Sequence, residues 1–174
     1  MRLLVDVESG TRCLDGGGVA MEVVDVDAGN FDIYLNLVQA YEAEFSPLTG
    51  KKPGSDGRFA LDTHLGGNVH GHLLYLGETP AGLAAIESDR DEHEVREFYV
   101  VPLFRGRLTG SRFAQSLWRR FPGNWEIKQI AGASNATAFW RRAVGEFTQG
   151  RFEEDHHDDP VWGHVVRQRF VVGA

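Results

Sequence analysis

The segment from Glu97 to Ser111 constrains most strongly what this chain can fold into. An apolar run predicts a strand here; it leads through the turn Arg105-Gly106-Arg107-Leu108-Thr109-Gly110 into a segment whose apolar residues recur at helical spacing. Glycines let such a turn approach a ligand closely, and the free N–H groups of the first helical turn carry a partial positive charge. The turn is therefore suited to a pyrophosphate group, with Arg105, Arg107 and Arg112 adding charge. A structural turn with solvated arginines is the alternative, and this segment alone leaves both open.

The flanking patterns predict alternating strands and helices. Strands are expected at 19–26, 69–76, 81–87, 94–101 and 125–131 and near 147–152 and 161–172, with helices starting at Asn30 or Asp32, near Thr109, and at a cap formed by Ser134 or Asn135. This order predicts an α/β (α+β) domain whose mixed, mostly antiparallel sheet has about six to seven strands flanked by helices.

Three local features sharpen this prediction. Ser46-Pro47 is expected to end the first helix, because the residue before proline disfavours the helical conformation. The inner face of that helix is expected to carry five apolar residues, namely Ile33, Leu37, Ala40, Tyr41 and Phe45. Residues 47–68 are expected to form a long surface excursion, either a substrate-facing element or a mobile loop, and the acidic run 153–159 is expected to form a solvated loop.

The length and charge of the chain limit its function classes. With 174 residues, the chain is predicted to form one domain at 19–174, preceded by a leader or an extra edge strand at 1–18. A net charge of −7 argues against a nucleic-acid or anionic-membrane partner. A single cysteine, Cys13, excludes an intrachain disulfide and has no evident base partner, so we expect a cytoplasmic protein without a cysteine nucleophile.

Two motifs resemble the GNAT acetyltransferase superfamily. Residues Val100 to Gly110 resemble its Val-x-Pro-x-Tyr/Phe-Arg-Gly-x-Gly-x-Gly motif, and Asn135 to Trp140 resemble its later Asn-x-x-Ala-x-x-Phe-Tyr motif. The resemblance covers residues 19–172. The runs 122–126 and 139–142 are also similar to a bacterial branch of predicted acetyltransferases.

The resemblance implies a GNAT-type acyl-CoA N-acyltransferase fold that binds acetyl-CoA as cosubstrate, without a metal. By that resemblance, the backbone of Val100 and Val101 holds the pantetheine arm, and Asn135 and Phe139 contact the cofactor from the next helix. The pyrophosphate is held by the amides of the intervening turn: Arg105, Gly106, Arg107, Leu108, Thr109, Gly110 and Ser111. The sheet is expected to splay beside Val101.

The sequence departs from the family pattern at two positions. Leu108 replaces the middle glycine of the pyrophosphate turn, and Trp140 stands where many relatives place the tyrosine that protonates the departing thiolate. An indole N–H is no acid for this purpose. These departures keep open an alternative function, a non-catalytic module that binds or senses acyl-CoA.

Acetyl transfer to an amine benefits from a general base, and Glu97 is the candidate. Burial in the cleft would raise its pKa toward the working range. Strand alternation places Tyr99 on the same face, as a second catalytic candidate. The alternatives are an ion pair of Glu97 with Arg96 or another surface cation, and a core role for Tyr99.

The remaining clusters give weaker predictions. The run 155–159 contains adjacent histidines without metal-ligand spacing, so no metal is expected. His70 and His72 share one strand face, and an exposed face is favoured over an acceptor or metal role. The expected partner is a small-molecule or peptide amine, with a homodimer left open.

Overall fold

A computed structural model describes residues 10–14 and 20–173 of the chain, with side chains described from residue 20 onward. Eight strands occur in these ranges: β1 Gly10–Leu14, β2 Ala20–Asp25, β3 Val69–Leu76, β4 Thr79–Asp89, β5 Glu92–Val100, β6 Gly123–Ile130, β7 Glu153–Asp159 and β8 Gly163–Val172. The helices are α1 Phe31–Thr49, α2 Thr109–Arg120 and α3 Ser134–Thr148, and a 3₁₀ turn spans Pro102–Phe104.

The strands form one sheet in the order β1-β2-β3-β4-β5-β6-β8-β7. Only β5 and β6 are parallel among the described pairs. The prediction of a mixed, mostly antiparallel sheet flanked by helices is confirmed, with β1 as an added edge strand. The structure describes neither the side chain of Cys13 nor residues 1–9 and 15–19. The boundary at residue 18 between the N-terminal segment and the domain therefore stays a prediction.

The helices cover the two faces of the sheet. On one face, α2 and α3 bury a cluster that includes Phe113, Trp118 and Val144 against Trp125 of β6. On the other face, α1 buries a second cluster, formed by Tyr34, Val38, Leu73, Leu83 and Tyr99. The polar groups of the site lie at the border of this second cluster.

The prediction that Ser46-Pro47 ends the first helix is wrong, because α1 continues to Thr49. Pro47 has no N–H to donate to the carbonyl of Ala43, but the Ser46 hydroxyl donates to that carbonyl at 2.8 Å. The helix ends where the Gly50 N–H donates to the Ser46 carbonyl, with Gly50 in the left-handed conformation at φ 69°.

The predicted inner face of α1 is also shifted. Its fully buried residues are Tyr34, Val38 and Glu42, whereas Ile33, Leu37 and Tyr41 are partly buried beside them and Ala40 is exposed. Two polar residues take inner positions because each finds a partner there, as described for the site below. The hydrophobicity pattern alone therefore predicts the wrong buried face for α1.

The acidic run 153–159 is a strand rather than a loop, and the predicted strand near 147–152 begins inside α3. Cross-strand arginines of β8 neutralise the acidic side chains. Asp155 contacts Arg167 at 2.7 Å and Glu153 contacts Arg169 at 2.9 Å, which makes a charged segment compatible with pairing at the sheet edge.

His72 departs from the expected exposed strand face, while His70 agrees with it. The side chain of His72 is 1% exposed, and its Nδ1 lies 3.0 Å from Oδ1 of Asp25, which also contacts Arg120. Burial lowers the pKa of His72, although Asp25 opposes this shift, and the His72 and Arg120 contacts lower the pKa of Asp25 to about 2.

The free energy of unfolding is therefore expected to fall as the pH drops below about 6.5. In that range the unfolded chain takes up a proton at His72, whereas in the folded chain the lower pKa of His72 keeps the imidazole neutral. Urea unfolding between pH 7.5 and 5 checks this, and His72→Gln should flatten the slope. His164→Gln, at a histidine whose side chain is 63% exposed, should not. Equal slopes in the two variants would contradict the assignment.

Candidate active site

The parallel pair at the centre of the sheet opens into a cleft. Strands β5 and β6 pair from Glu92 and Asn124 only to Val95 and Ile127. Arg96 is an extra residue in β5, because Ala85 pairs with Glu97 while the next residue of β4 pairs with Val95. Beyond this bulge the strands separate around a cleft of about 930 Å³. The predicted splay is therefore present.

Glu97 lies on the α1 face of this cleft, and its side chain is 3% exposed. The Tyr34 hydroxyl donates a hydrogen bond to Oε2 at 3.1 Å, while Oε1 accepts none from the described residues. The alternative ion pair is absent, since Arg96 contacts Glu94 at 3.1 Å and Glu87 at 3.6 Å instead.

The environment of Glu97 brings its pKa into the neutral range. Burial raises the pKa to about 7, the polar side chains of Thr63 and Tyr34 oppose the shift, and the charges of Glu42 and Asp62 add to it. A carboxyl group with this pKa exchanges a proton readily near neutral pH, as a general base must.

The side chains around Glu97 come from two elements, and none of them was named individually as a site residue from the sequence. Tyr34 and Glu42 belong to α1, and Asp62 and Thr63 to the segment that follows it. The available signal was the spacing of Tyr34, Val38 and Glu42, which recur every fourth residue and so share one helix face.

Two side-chain contacts hold the segment after α1 in place. Gln39 both donates to the Phe59 carbonyl at 3.1 Å and accepts from the Phe59 N–H at 2.7 Å. The Lys51 ammonium contacts Glu42 at 2.8 Å and Asp62 at 2.7 Å, and donates to the Ala60 carbonyl. Asp62 and Thr63 line the cleft, as expected of a substrate-facing excursion.

Tyr99 shares the face of Glu97 but is surrounded by packing partners. It is 7% exposed, its ring lies 6.1 Å from that of Tyr41, and the Arg105 guanidinium lies 5.4 Å from its centroid. Burial raises the pKa of Tyr99, and Glu44 adds to the rise while Arg105 opposes it. These contacts describe a core residue at the cleft wall, and a catalytic role for Tyr99 stays a prediction.

The turn before α2 exposes several backbone donors to the cleft. Gly106, Arg107 and Leu108 all have positive φ, at 86°, 29° and 63°. Within residues 20–173, five amides of this region make no backbone hydrogen bond across the turn: Gly106, Arg107, Leu108, Gly110 and Ser111. These same residues line the cleft.

Two of the predicted cofactor-binding residues do not line the cleft. The Val101 N–H donates to the Ala81 carbonyl at 2.8 Å, and the Thr109 N–H donates to the Gly106 carbonyl at 3.1 Å. Arg105 does line the cleft, but its Nε donates to the Val100 carbonyl at 2.8 Å and its terminal nitrogens contact both carboxylate oxygens of Glu44 at 2.7 Å.

The second helix facing the cleft is α3, and its start differs from the prediction. Ala133 is the cap residue, so neither Ser134 nor Asn135 caps the helix. Leu108 likewise caps α2 without a side-chain hydrogen bond. Two helix N-termini without side-chain caps therefore open on one cleft, and each favours an anion.

Aromatic side chains form the wall between these two helices. Phe139 lies beside Gly110, where an added Cβ would come within 3.0 Å of its ring, so the glycine allows the close approach of α2 and α3. The ring centroid of Trp140 lies 4.8 Å from that of Phe98 and 4.9 Å from that of Phe139. Asn135, Phe139 and Trp140 all line the cleft.

Neither a metal-binding cluster nor a membrane-spanning helix occurs in the described part of the chain. No group of three or more histidine, cysteine, aspartate or glutamate side chains in residues 10–14 and 20–173 is arranged to hold a metal ion. None of the described helices is long and apolar enough to cross a membrane.

Sequence searches matched no protein-family model and no curated protein. The fold, however, matches solved acetyltransferases. One is the Salmonella typhimurium enzyme that modifies the N-terminal serine of ribosomal protein L7/L12, with 13% identity over 87% of this chain and 95% of that chain and a TM-score of 0.62.

Two others give the same result. The GNAT domain of S. lividans PAT has 14% identity over 94% of this chain and 97% of that one, with a TM-score of 0.62. A Bacillus subtilis acetyltransferase in complex with CoA has 11% identity over 86% and 97%, with a TM-score of 0.54. The chain therefore has the fold of the GNAT superfamily of acyl-CoA N-acyltransferases.

Proposed function

We propose that the chain transfers an acetyl group from acetyl-CoA directly to an amine. The observation that carries this proposal is the position of Glu97, a buried carboxyl group with a pKa of about 7, in a cleft that also contains two helix N-termini without side-chain caps. The GNAT fold and the CoA complex of one structural neighbour support it.

The residues of the cleft fit a CoA-type cosubstrate. Free amides of the turn from Gly106 to Ser111 suit the pyrophosphate, and Arg107 and Arg142 line the same cleft. The open edge of β5 and the wall formed by Phe139 suit an extended, partly apolar arm. Acetyl-CoA supplies the thioester, and the C–N bond to the amine forms as the C–S bond breaks.

The proton steps belong to the chain's own residues. Glu97 accepts a proton from the attacking amine, and Tyr34 orients its carboxylate by donating to Oε2. Trp140 has no acidic proton for the leaving thiolate, so we assign that proton to solvent. Direct transfer needs no covalent intermediate on the protein.

Isothermal titration calorimetry with CoA tests the cofactor site through two opposite substitutions of Leu108. This residue is 55% exposed and has φ 63°, so both glycine and aspartate are compatible with its backbone. Leu108→Gly should tighten CoA binding about threefold, because a side chain that stands at the turn beside the free amides is removed. Leu108→Asp should weaken binding more than tenfold, because its charge repels the pyrophosphate.

Both variants should remain folded, since aspartate at a helix N-terminus is favourable. Binding that is unchanged in both would contradict the placement of the pyrophosphate. Turnover with a panel of amines then separates the enzyme from the alternative, a non-catalytic acyl-CoA-binding module. CoA binding without turnover of any amine would favour the module.

A further inference from the structure

The side chain of Arg105 bridges the mouth of the cleft. Its Nε donates to the Val100 carbonyl of β5, its two terminal nitrogens contact the two carboxylate oxygens of Glu44 on α1, and its guanidinium lies over the ring of Tyr99. We name this arrangement the Arg105 bridge. It connects α1 to the turn that precedes α2.

The carbonyl held by the bridge belongs to the open edge of β5. The Val101 N–H points toward β4, since it donates to Ala81, and alternation along a strand then directs the polar groups of Val100 toward β6. Pairing with β6 has already ended at Val95. The Val100 carbonyl therefore faces the cleft, where an extended ligand would reach it. In this structure it accepts a hydrogen bond from Arg105 instead.

Glu44 determines where Arg105 points. A bidentate contact to a carboxylate fixes the plane of a guanidinium, and both oxygens of Glu44 take part at 2.7 Å. The same carboxylate neutralises a cation next to the free amides of the turn. It thus opposes the binding of a phosphorylated ligand in two ways, by holding Arg105 on Val100 and by contributing a negative charge.

We propose that Glu44 is a positioning residue that sets the affinity for the cosubstrate, because the Arg105 bridge must open before the pantetheine arm reaches the Val100 carbonyl. This inference rests on the proposed function. It assigns to Arg105 two successive partners, first Glu44 and then the bound phosphates. Glu44 itself contacts neither the acetyl group nor the amine.

Two matched alanine variants test the bridge. Glu44→Ala removes both acceptors of Arg105. Glu146→Ala removes a negative charge from an exposed position on α3 that lines the same cleft, and Glu146 makes no ion pair with any residue described in 20–173. Alanine is favourable in both helices, so both variants should fold.

Calorimetry should be carried out with CoA and with pantetheine, which has the same arm but no phosphate. Glu44→Ala is expected to lower the Kd of both ligands about three- to fivefold, the scale of an exposed ion pair. Glu146→Ala is expected to leave the Kd for pantetheine unchanged. In turnover assays, Glu44→Ala should lower KM for acetyl-CoA while kcat stays the same.

The outcomes separate the bridge from the proposed function. A gain limited to CoA, or equal effects of the two variants, would show that only bulk charge acts and would overturn the bridge, while the cofactor site would stand. Absence of CoA binding in all three proteins would overturn the cofactor site and the bridge with it.

Discussion

Glu97→Gln is expected to lower kcat by about 100-fold or more while the Kd for CoA stays the same. Glutamine keeps the size of the side chain but cannot accept a proton from the amine. Glu97 is buried in the cleft, and Tyr34 donates to its Oε2, whereas its Oε1 has no partner among the described residues and is left to accept the proton. Steady-state kinetics and calorimetry on the same preparation measure the two effects.

The pKa of Glu97 also predicts the direction in which activity changes with pH. The active form of Glu97 is deprotonated, so kcat/KM of the wild type, which reports the pKa of the free enzyme, should rise through about pH 7 and then level off. Tyr34→Phe removes a donor that stabilises the carboxylate, and it should shift this midpoint to higher pH. Glu94→Gln, at another glutamate of the cleft, serves as a control. A midpoint unaffected by Tyr34→Phe would contradict the role of Glu97.

Lys51→Met is expected to lower the free energy of unfolding by about 2–4 kcal/mol. Glu42 is 2% exposed and Lys51 is 18% exposed, so loss of the ammonium leaves a buried carboxylate without its cation. Urea unfolding measures this, and the exposed neighbour Lys52→Met is the matched control, with an expected change within about 0.5 kcal/mol.

A second substitution shows whether the buried charge is the cause. Glu42→Gln in the Lys51→Met background should recover part of the lost stability, since a neutral amide costs less to bury. Lys51→Met should also raise KM for the amine, because Asp62 lines the cleft and loses its partner. Equal stability of the Lys51 and Lys52 variants would contradict this account.

The strand–turn–helix around residues 97–111 was predictable from sequence because its signals are local. An apolar run, a glycine-containing turn and a periodic apolar segment follow one another, and each depends on neighbouring residues only. The shared face of Glu97 and Tyr99 follows from strand alternation in the same way. The order of strands and helices along the chain was predictable for the same reason.

The enclosure of Glu97 was not predictable, because its contacts join distant parts of the chain. Tyr34 contacts Glu97 across a separation of 63 residues, and the buried Glu42 finds its cation in Lys51, which follows the end of α1. A hydrophobicity pattern assigns both glutamates and the tyrosine hydroxyl to a surface. The β7 strand was missed for a similar reason, since its acidic residues need Arg167 and Arg169 of β8.

Because Arg96 is an extra residue in β5, the opening of the cleft and the lining of the cleft depend on different features of the chain. The opening between β5 and β6 is a property of backbone register, so no single side chain around it is needed to create it. Substitutions at Asp62 or Thr63, which line the cleft, would therefore change its lining and leave the opening itself unchanged. In a lineage that keeps the proposed function, the acceptor could thus change through the lining of the cleft while the backbone keeps the same opening.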